Sequence, residues 1–465
     1  MKLMKHTKWV FYLFLVTQSL LLYPRGEVDP IDRSSLTADL LAAVNESNRL
    51  LTLIEINTLR TANNTQGAEA AFLDTTSTWP LTITPSTSGN TFKFTENVSV
   101  STVTTGGVIV ISKDNVTIDL CGQTLSLASS VTTAVSGIVI AAGVKGTQII
   151  STAEAPEHKG TIQGFTASAV RLEGSSASPI KNTLLNDVVC SYNTQGIFAE
   201  YSDNTSITNS KCVGSQNLLG NVYGIYMKNI KNTIIDNVES SENNSKQSAF
   251  GIYLENSNSA TVKNCTTNLN YSTGEHTTRG SSYGVYVTAS GTDTSSSNAI
   301  LDCEANENYH ISNAIVVKIQ ESVGFMVTTV LDGTSTTKSN TLNNCQARRN
   351  ISKEGTNIPT AGFGHGIKLY NSSDNEVRSC TCSYNSTHGV IDSYPPTDTT
   401  PVSTSFFTSN ICFFNTQDNY NVIFQEEPGT GDGTTPIKTV KIYIGNQIAL
   451  QESLQGYANV EIISK

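Results

Sequence analysis

Short runs that alternate apolar and polar residues recur along this chain, and each run opens with glycine or alanine. The runs begin at Gly196, Gly224, Gly251, Gly284, Ala314, Gly366 and Gly389. Their starts are separated by 28, 27, 33, 30, 52 and 23 residues. A repeat of this size predicts a solenoid, because each unit can bury its apolar face only against its neighbours.

The period of two within each run places successive side chains on opposite faces of a strand. One set of positions is aliphatic in every repeat and is predicted to face inward. These positions are Ile197, Ile225, Ile252, Val285, Ile315, Ile367 and Val390, then Ala199, Met227, Leu254, Val287, Val317 and Leu369. Short strands, turns rich in Gly, Asn and Ser, and the absence of helical periodicity predict a parallel β-helix whose coils stack at about 4.8 Å.

Asparagine recurs immediately before Val or Cys in the second strand of several repeats, as at Asn237, Asn264 and Asn344. Asparagine tolerates the left-handed backbone conformation of tight turns, and its amide can stack on the equivalent amide of the next coil. The pattern predicts an asparagine ladder that lies inside the coils or lines their turns.

A motif near the start of the repeats resembles a known family. Residues 116–125 read Val-Thr-Ile-Asp-Leu-Cys-Gly-Gln-Thr-Leu, which is similar to the opening motif of right-handed parallel β-helix proteins in the pectate-lyase-like superfamily. The runs at Gly137 and Gly160 continue in the same style. The resemblance covers about residues 89–445 and implies an all-β fold, a single right-handed parallel β-helix. The same coils occur in polysaccharide lyases, glycoside hydrolases, phage tailspikes and bacterial surface proteins, so activity does not follow from them.

The two ends of the chain differ from the repeats. Lys2, Lys5 and Lys8 precede an apolar run at 9–23, which predicts a signal peptide or anchor over residues 1–25 and a secreted, cell-surface or periplasmic protein. A short helix is predicted at 34–61 from its apolar spacing. Either it packs over the first coil or forms a stalk, or it is a coiled coil that assembles a homo-oligomer, a trimer or dimer.

The predicted organisation therefore has four parts. They are the signal or anchor at 1–25, a helical leader and linker at 26–88, a β-helix of about eleven coils at 89–445, and a C-terminal cap at 446–465. A cap is expected because an uncovered last coil would expose its apolar columns and a free sheet edge.

Composition narrows the possible partners. Charged residues make up 15% of the chain, against about 25% in an ordinary globular domain. The net charge of −10 argues against nucleic acid, which requires a basic stripe.

The chain has nine cysteines, most of them at equivalent positions one coil apart. That spacing of about 4.8 Å suits buried thiols better than disulfides, whose Cβ atoms lie about 3.8 Å apart. No zinc-ligand pattern is present, and no metal site is predicted.

The outward positions of the first strand carry an aromatic column, Phe198, Tyr226, Tyr253 and Tyr286. The neighbouring column contains Glu200, Lys228 and Glu255, followed by Thr288 and Lys318. An exposed aromatic ladder beside charged groups is typical of carbohydrate binding, because aromatic faces stack on sugar rings while charged groups bind hydroxyls. The alternative is that Tyr simply stacks along a sheet, as it does in many strands.

The same face offers weak catalytic candidates. Glu200 and Glu255 would lie two coils apart, at about 9.6 Å between backbones, near the upper limit for an inverting glycosidase. Lys228 lies between them, so an alternating Glu-Lys-Glu surface ladder is the competing interpretation.

Two further candidates come from the resemblance. Gly364-His365-Gly366 is similar to the glycine-histidine-glycine motif of polygalacturonases, but the Asp-Asp pair that accompanies it in that family is absent here. The pattern returns at His388, which makes His365 a turn residue in the competing interpretation. Arg349, with Arg348 and Lys353, could abstract a proton in a pectate-lyase reaction, for which calcium would be the cofactor. No acidic cluster lies near it in the sequence, and no cofactor is predicted otherwise.

Three functions remain open. The favoured one is an exported, non-catalytic β-helix that binds a polysaccharide, a surface glycan or a protein partner. The second is a polysaccharide lyase or glycoside hydrolase that acts on the outer sheet face, and the third is a structural stalk. The lack of a complete catalytic constellation favours binding over catalysis, and the aromatic column favours binding over a stalk.

Overall fold

The computed structural model describes residues 70–464, except for 104–105, 154–158, 218, 274–279, 313–320, 331–334, 355–362, 394–404, 414, 416–417, 424–439 and 445–459. The described residues all belong to one compact unit within Leu59–Lys465. The predicted signal segment and the predicted helix at 34–61 lie outside the described residues. Within the described ranges, no helix is long and apolar enough to cross a membrane.

Two long sheets, here called sheets A and B, each contain 12 strands. The strands of sheet B number the coils from 1 to 12. They are Leu81–Ile83, Gly106–Ile111, Val135–Ile140, Ser168–Glu173, Gln195–Glu200, Val222–Lys228, Ala249–Glu255, Ser282–Ala289, Glu321–Thr329, Phe363–Tyr370, His388–Ser393 and Asp418–Ile423. Those of sheet A are Ala71–Leu73, Thr91–Phe94, Thr117–Asp119, Gln148–Ile150, Leu184–Asn186, Ser206–Thr208, Ile234–Asp236, Thr261–Lys263, Ala299–Leu301, Thr341–Asn343, Glu376–Arg378 and Phe406–Thr408.

Shorter sheets complete each coil. Sheet C has the strands Val98–Val100, Thr124–Leu127, Gly160–Gln163, Val188–Ser191 and Lys211–Val213, and a second group Gln346–Arg348, Thr381–Ser383 and Ile411–Phe413. Sheet E has Gln216–Asn217, Asn244–Ser245, Tyr271–Ser272, Tyr309–Ser312 and Ile351–Glu354. Three pairs remain: Ile180–Lys181 with Ser202–Asp203, Thr294–Ser296 with Thr336–Lys338, and Val440–Ile444 with Val460–Ser464.

Successive strands of sheets A and B pair in parallel, as at Ile197, Ile225 and Ile252. The chain therefore completes one turn between neighbouring strands, and such crossovers are right-handed in nearly all proteins. The fold is the predicted right-handed parallel β-helix. Among the described residues it has twelve coils, counted by the strands of sheet B, where the sequence predicted about eleven.

Paired strands are present before residue 89, where the β-helix was predicted to begin. Ala71–Leu73 already pairs with Thr91–Phe94 in sheet A, and Leu81–Ile83 pairs with Gly106–Ile111 in sheet B. These two strands have only three residues each, and the Thr, Ser and Pro residues around them resemble a linker in composition. The role of 446–465 as a cap stays a prediction.

The inward columns are confirmed on most coils. Ile197, Ile225, Ile252 and Val285 follow one another in register, and each is at most 1% exposed. The assignment of coil 9 is wrong. Phe325 pairs with Val285, and Val327 pairs with Val287, whereas the run at Ala314 lies outside the described residues. In both segments, alternating apolar residues follow a small residue. Because the connection before coil 9 is long, the earlier segment, at Ala314, was mistaken for the strand.

Asparagine forms two kinds of ladder. Asn237, Asn264 and Asn344 adopt left-handed φ values of 55°, 51° and 53°, so the predicted turn-lining asparagines are confirmed. A second ladder, buried inside the coils, uses other asparagines. It runs through Asn243, Asn270, Asn308, Asn350 and Asn385, each with a side-chain amide that donates to the next at 2.8–3.0 Å.

The cysteines stack inside the coils. Cys190 pairs in register with Cys212, and Cys382 with Cys412. A separate column contains Cys265, Cys303, Cys345 and Cys380, each at most 2% exposed. The prediction of buried thiols is therefore confirmed for these residues, but they occupy two columns of the interior where the sequence suggested one.

Candidate functional site

In coils 5 to 8, the outer face of sheet B owes its shape to a glycine in each strand, at Gly196, Gly224, Gly251 and Gly284. A Cβ atom on Gly224 would lie 2.0 Å from Ser240 Oγ and 2.8 Å from Asn243 Nδ2, both of them in the interior. Only glycine fits at such a close approach. Gly224 and Ile225 both face inward, so Tyr223 and Tyr226 on either side of them both face outward. Coils 5 to 8 thus present two outward columns on this face.

Seven aromatic residues occupy seven of the eight positions of these two columns in coils 5 to 8, with Gln195 at the eighth, and are here called the aromatic face. They are Phe198, Tyr226, Tyr253 and Tyr286 in the outer column, and Tyr223, Phe250 and Tyr283 in the inner one. Neighbouring rings lie 4.7–5.5 Å apart, in stacked or edge-to-face arrangements. Arg171 of coil 4 covers the ring of Phe198 at 4.6 Å. The rings therefore form a continuous layer outside the main core.

The predicted outer column faces outward, but its exposure differs from the prediction. Its rings are half-buried, because the inner column packs against them, with Phe250 only 6% and Tyr283 only 8% exposed. The inner column was missed in the sequence. Its signal is an aromatic residue directly before the repeat glycine in three successive coils, at Tyr223, Phe250 and Tyr283.

The charged column beside the aromatic face is confirmed in register. Glu200 pairs with Lys228, and Lys228 with Glu255. Glu255 is 9% exposed and accepts hydrogen bonds from the hydroxyls of Tyr226 at 2.5 Å and Ser290 at 2.7 Å. Its other neighbour is Lys228 Nζ, 3.6 Å from Oε1. After Glu255 the column continues with Thr288 and Thr328, so Thr328 takes the position predicted for Lys318.

A second carboxylate lies at the far side of the aromatic face. Glu321 of coil 9 is 7% exposed. It accepts a hydrogen bond from the Tyr283 hydroxyl at 3.0 Å and pairs with Lys368 Nζ at 2.5 Å. These groups connect coils 8, 9 and 10. The sequence did not single out Glu321, because the strand of coil 9 was assigned to the run at Ala314.

Burial controls the ionisation of the tyrosines. It raises the pKa of Tyr253, and the nearby Tyr286 and Glu255 raise it further. Burial also raises the pKa of Tyr226, with an added contribution from its hydrogen bond to Glu255. The pKa values of Tyr283 and Tyr286 are raised by burial and then by Glu321. All four hydroxyls are therefore neutral hydrogen-bond donors at physiological pH.

His365 is a strand residue and not the turn residue suggested by the sequence. It lies in coil 10, in register with Val323 of coil 9, and is 2% exposed. Its ring stacks on that of His388 at 5.2 Å. Burial, followed by the charge of Lys368 and the neighbouring His388, holds the pKa of His365 well below its usual range. His365 is therefore a neutral packing residue three coils from Glu255.

Arg349 lies at a different corner of the coil. It follows the sheet C strand Gln346–Arg348 and adopts a left-handed φ of 52°. Its guanidinium pairs with Glu307 at 3.2 Å on an exposed surface. The structure thus brings Glu200 and Glu255 to one face but does not bring Arg349 to them. In the described part of the chain, no group of three or more His, Cys, Asp or Glu residues could hold a metal ion.

One family model matches part of the chain. Residues 108–286 match the family model described as periplasmic copper-binding protein (NosD), and a periplasmic family agrees with the predicted export. No curated protein sequence matches the chain.

Several solved structures are similar. They include pectate lyase Pel9A, with 15% identity, 69% of this chain and 70% of that chain covered, and a TM-score of 0.39. The Dettilon tailspike protein has 12% identity, coverage of 76% and 60%, and a TM-score of 0.46. The periplasmic alginate epimerase AlgG has 11% identity, coverage of 80% and 75%, and a TM-score of 0.45. The chain is a right-handed parallel β-helix protein, and over residues 108–286 it is similar to the NosD family.

Proposed function

We propose that this chain is an exported protein that binds glycan through the aromatic face of sheet B and does not cleave it. The observation that carries the proposal is the continuous layer of seven rings, 4.7–5.5 Å apart, on the outside of coils 5 to 8. Aromatic layers of this kind stack on the apolar faces of sugar rings, and neighbouring polar groups then bind the hydroxyls.

The chemistry around Tyr253 suits such a ligand. Its ring stacks on that of Tyr286 at 5.0 Å and is half-buried. Among the described residues, its hydroxyl donates to no acceptor, in contrast to that of Tyr226, which donates to Glu255. Tyr253 therefore offers both an apolar surface and an available hydrogen-bond donor. Lys228, whose side chain is 33% exposed, adds an ammonium group beside it.

The state of the carboxylates supports binding over catalysis. A general acid or base has to reach the reacting group with its carboxylate oxygens. Both oxygens of Glu255 are held, one by Tyr226 and the other by Ser290. Those of Glu321 are held by Tyr283 and Lys368. These two glutamates therefore link neighbouring coils through their side-chain contacts.

An enzyme that acts on polysaccharide is the second candidate, and one observation favours it. Glu321, Lys368 and Tyr283 form a buried acid–base cluster on the same face as the aromatic rings. If a bound sugar displaced Lys368 from Glu321, the carboxylate and the ammonium group would both be available for proton transfer. In that case calcium would be required only for lyase chemistry.

Incubation with polysaccharides separates the two candidates. The exported chain would be mixed with uronate and neutral polymers, with and without calcium, and both polymer retention and chain shortening would be measured. Binding predicts retention without shortening, and Tyr253→Ala should raise the Kd about tenfold, the equivalent of one stacking contact. The matched control is Tyr271→Ala, which removes a stacked tyrosine from sheet E and should leave the Kd unchanged. Shortened products that disappear in Glu321→Gln would identify an enzyme.

Copper, named in the description of the matched family, does not fit the described residues. The cysteines are the soft ligands closest to one another, but they are enclosed in the core. The thiols of Cys265 and Cys303 donate to backbone carbonyls of their own strands at 3.1 Å. Burial raises the pKa of Cys303 and Cys345, which opposes the thiolate form that binds metals. The proposed function therefore involves no copper.

A further inference from the structure

A trough crosses the turns that follow sheet B. In coils 5, 6 and 7 this turn contains a single left-handed residue, Tyr201, Asn229 or Asn256, with φ values of 48°, 53° and 53°. The equivalent turns of coils 4 and 8 are longer and span residues 174–179 and 290–293. Three tight turns between two longer ones leave a depression with a wall at each end. We call it the turn groove.

The turn groove has a volume of about 490 Å³. Its floor includes Asn229, Asn256 and Asn258, and its end walls include Ser176 and Thr294. Because these residues come from five successive coils, the groove extends about 19 Å along the stacking direction. That length and volume fit several sugar units of one extended chain better than a single small molecule.

The lining is polar and electrically balanced. Lys181, Asp203 and Lys231 occupy equivalent positions on coils 4, 5 and 6, and Asp293 contributes a second carboxylate. Within the described part of the chain, neither lysine forms an ion pair. Two ammonium groups and two carboxylates give the groove no net charge, and alternating donors and acceptors suit a ligand rich in hydroxyl groups.

The floor is held rigid by hydrogen bonds that continue to the aromatic face. Asn256 Nδ2 donates to Asn229 Oδ1 at 3.1 Å and to Asp293 Oδ2 at 3.2 Å. Asn256 Oδ1 accepts from the backbone amide of Ser290, whose hydroxyl donates to Glu255. A rigid floor loses little conformational entropy when a ligand binds.

We propose that the turn groove is a second carbohydrate-binding site, which takes an uncharged, hydroxyl-rich stretch of glycan lying along the direction of coil stacking. The inference rests on the proposed function for the class of its ligand, but it places a separate contact surface at the edge of the aromatic face. Binding there depends on hydrogen bonds from Lys181 and Lys231 and not on ring stacking. An uncharged ligand is expected because the lysines and aspartates of the groove balance.

Affinity electrophoresis of the full chain tests this site, with dextran and galactomannan as neutral polymers and polygalacturonate as a uronate polymer. The double variant Lys181→Met/Lys231→Met should raise the Kd for a neutral polymer about tenfold. Ser176→Trp, a substitution at an exposed wall position, should give a similar loss by filling the groove. The charge-matched control is Lys211→Met/Lys263→Met, which lies on other faces and should change the Kd less than twofold.

The outcomes separate the two proposals. Loss of binding in Tyr253→Ala but not in either groove variant would overturn the groove and leave the aromatic face. Loss in the groove variants but not in Tyr253→Ala would overturn the aromatic face and leave the groove. No binding to any polymer would overturn both, and tighter binding to polygalacturonate than to the neutral polymers would overturn the uncharged ligand. Unchanged thermal unfolding of each variant shows that the fold is intact.

Discussion

The phenolic hydroxyl of Tyr226 in coil 6 donates a 2.5 Å hydrogen bond to Oε2 of Glu255 in coil 7. One aromatic residue of the proposed binding face is thus fixed to a carboxylate of the neighbouring coil. Tyr253, one coil further in the same column, has no such acceptor among the described residues. The two tyrosines share a column but differ in what their hydroxyls do.

Removing the hydroxyl of Tyr226 should destabilise the fold. In Tyr226→Phe, the free energy of unfolding should fall by about 1.5–3 kcal/mol, because a partly buried hydrogen bond to a charged group is lost. Tyr253→Phe is the matched control and should change it by less than about 0.5 kcal/mol. Urea unfolding of both variants measures the difference, and equal midpoints would contradict this role of Glu255.

High pH should destabilise the protein through the tyrosines. Their pKa values are raised in the folded state, so the unfolded chain releases these protons first, near the ordinary value of 10.0. The folded state then binds more protons than the unfolded state. Stability is fully present below pH 10 and should fall above it by about 1.4 kcal/mol per pH unit for each affected tyrosine.

Absorbance of tyrosinate during a pH titration checks this directly. The tyrosines of the aromatic face should ionise only together with unfolding, so their absorbance change should coincide with the loss of folded structure. A single titration of all tyrosines near pH 10 without unfolding would contradict the buried aromatic layer.

Low pH should act through His365. Its pKa is depressed in the folded state by burial, Lys368 and His388, so below the ordinary value of 6.5 only the unfolded chain takes up this proton. Stability is present above pH 6.5 and should fall below it by up to about 1.4 kcal/mol per pH unit. His365→Phe keeps a ring in the stack and should remove that part of the slope. An unchanged slope in urea unfolding between pH 5 and 7 would contradict a neutral His365.

The buried asparagine ladder should be sensitive to a single truncation. In Asn308→Ala, the backbone amide of Asn270 loses its acceptor, and its side-chain amide loses one acceptor but keeps the carbonyl of Thr267 at 3.1 Å. One buried donor left unsatisfied at about 1–3 kcal/mol, together with one lost side-chain hydrogen bond at about 1 kcal/mol, should lower the free energy of unfolding by about 2–4 kcal/mol. Asn264→Gly removes a member of the exposed ladder while keeping its left-handed φ, and should cost less than about 1 kcal/mol. Similar unfolding midpoints for the two variants would show that burial does not matter.

Much of the fold could be predicted from the sequence. An alternation of apolar and polar residues with a period of two shows directly which side chains share one face of a strand. The inward positions of Ile197, Ile225 and Ile252 could be read from it, since one face of each strand has to be apolar. The register failed at coil 9, where two segments carry the same alternation. Only pairing with Val285 in the folded chain distinguishes Phe325 from Ile315.

The candidate site was less predictable, because it depends on contacts between coils. The outward column with Tyr253 was visible in the repeat. The inner column with Tyr223 was not visible there. Because Gly224 and Ile225 both face inward, Tyr223 and Tyr226 lie on the same face although they are three residues apart. The contacts of Glu321 and the lining of the turn groove depend on which residues become neighbours across coils. The longer turns at 174–179 and 290–293 form the walls of the groove only when the coils are stacked.

The side-chain hydrogen bonds of the buried asparagine ladder all run in one direction along the stack of coils. In every step from Asn243 to Asn385, the side-chain nitrogen of one coil donates to the side-chain oxygen of the next. The amide dipoles therefore all point the same way along the stack, and each bond polarises its neighbours. The side-chain amide nitrogens of this ladder all donate towards the C-terminal coils. A coil inserted without its asparagine would break that alignment even if its apolar residues packed correctly.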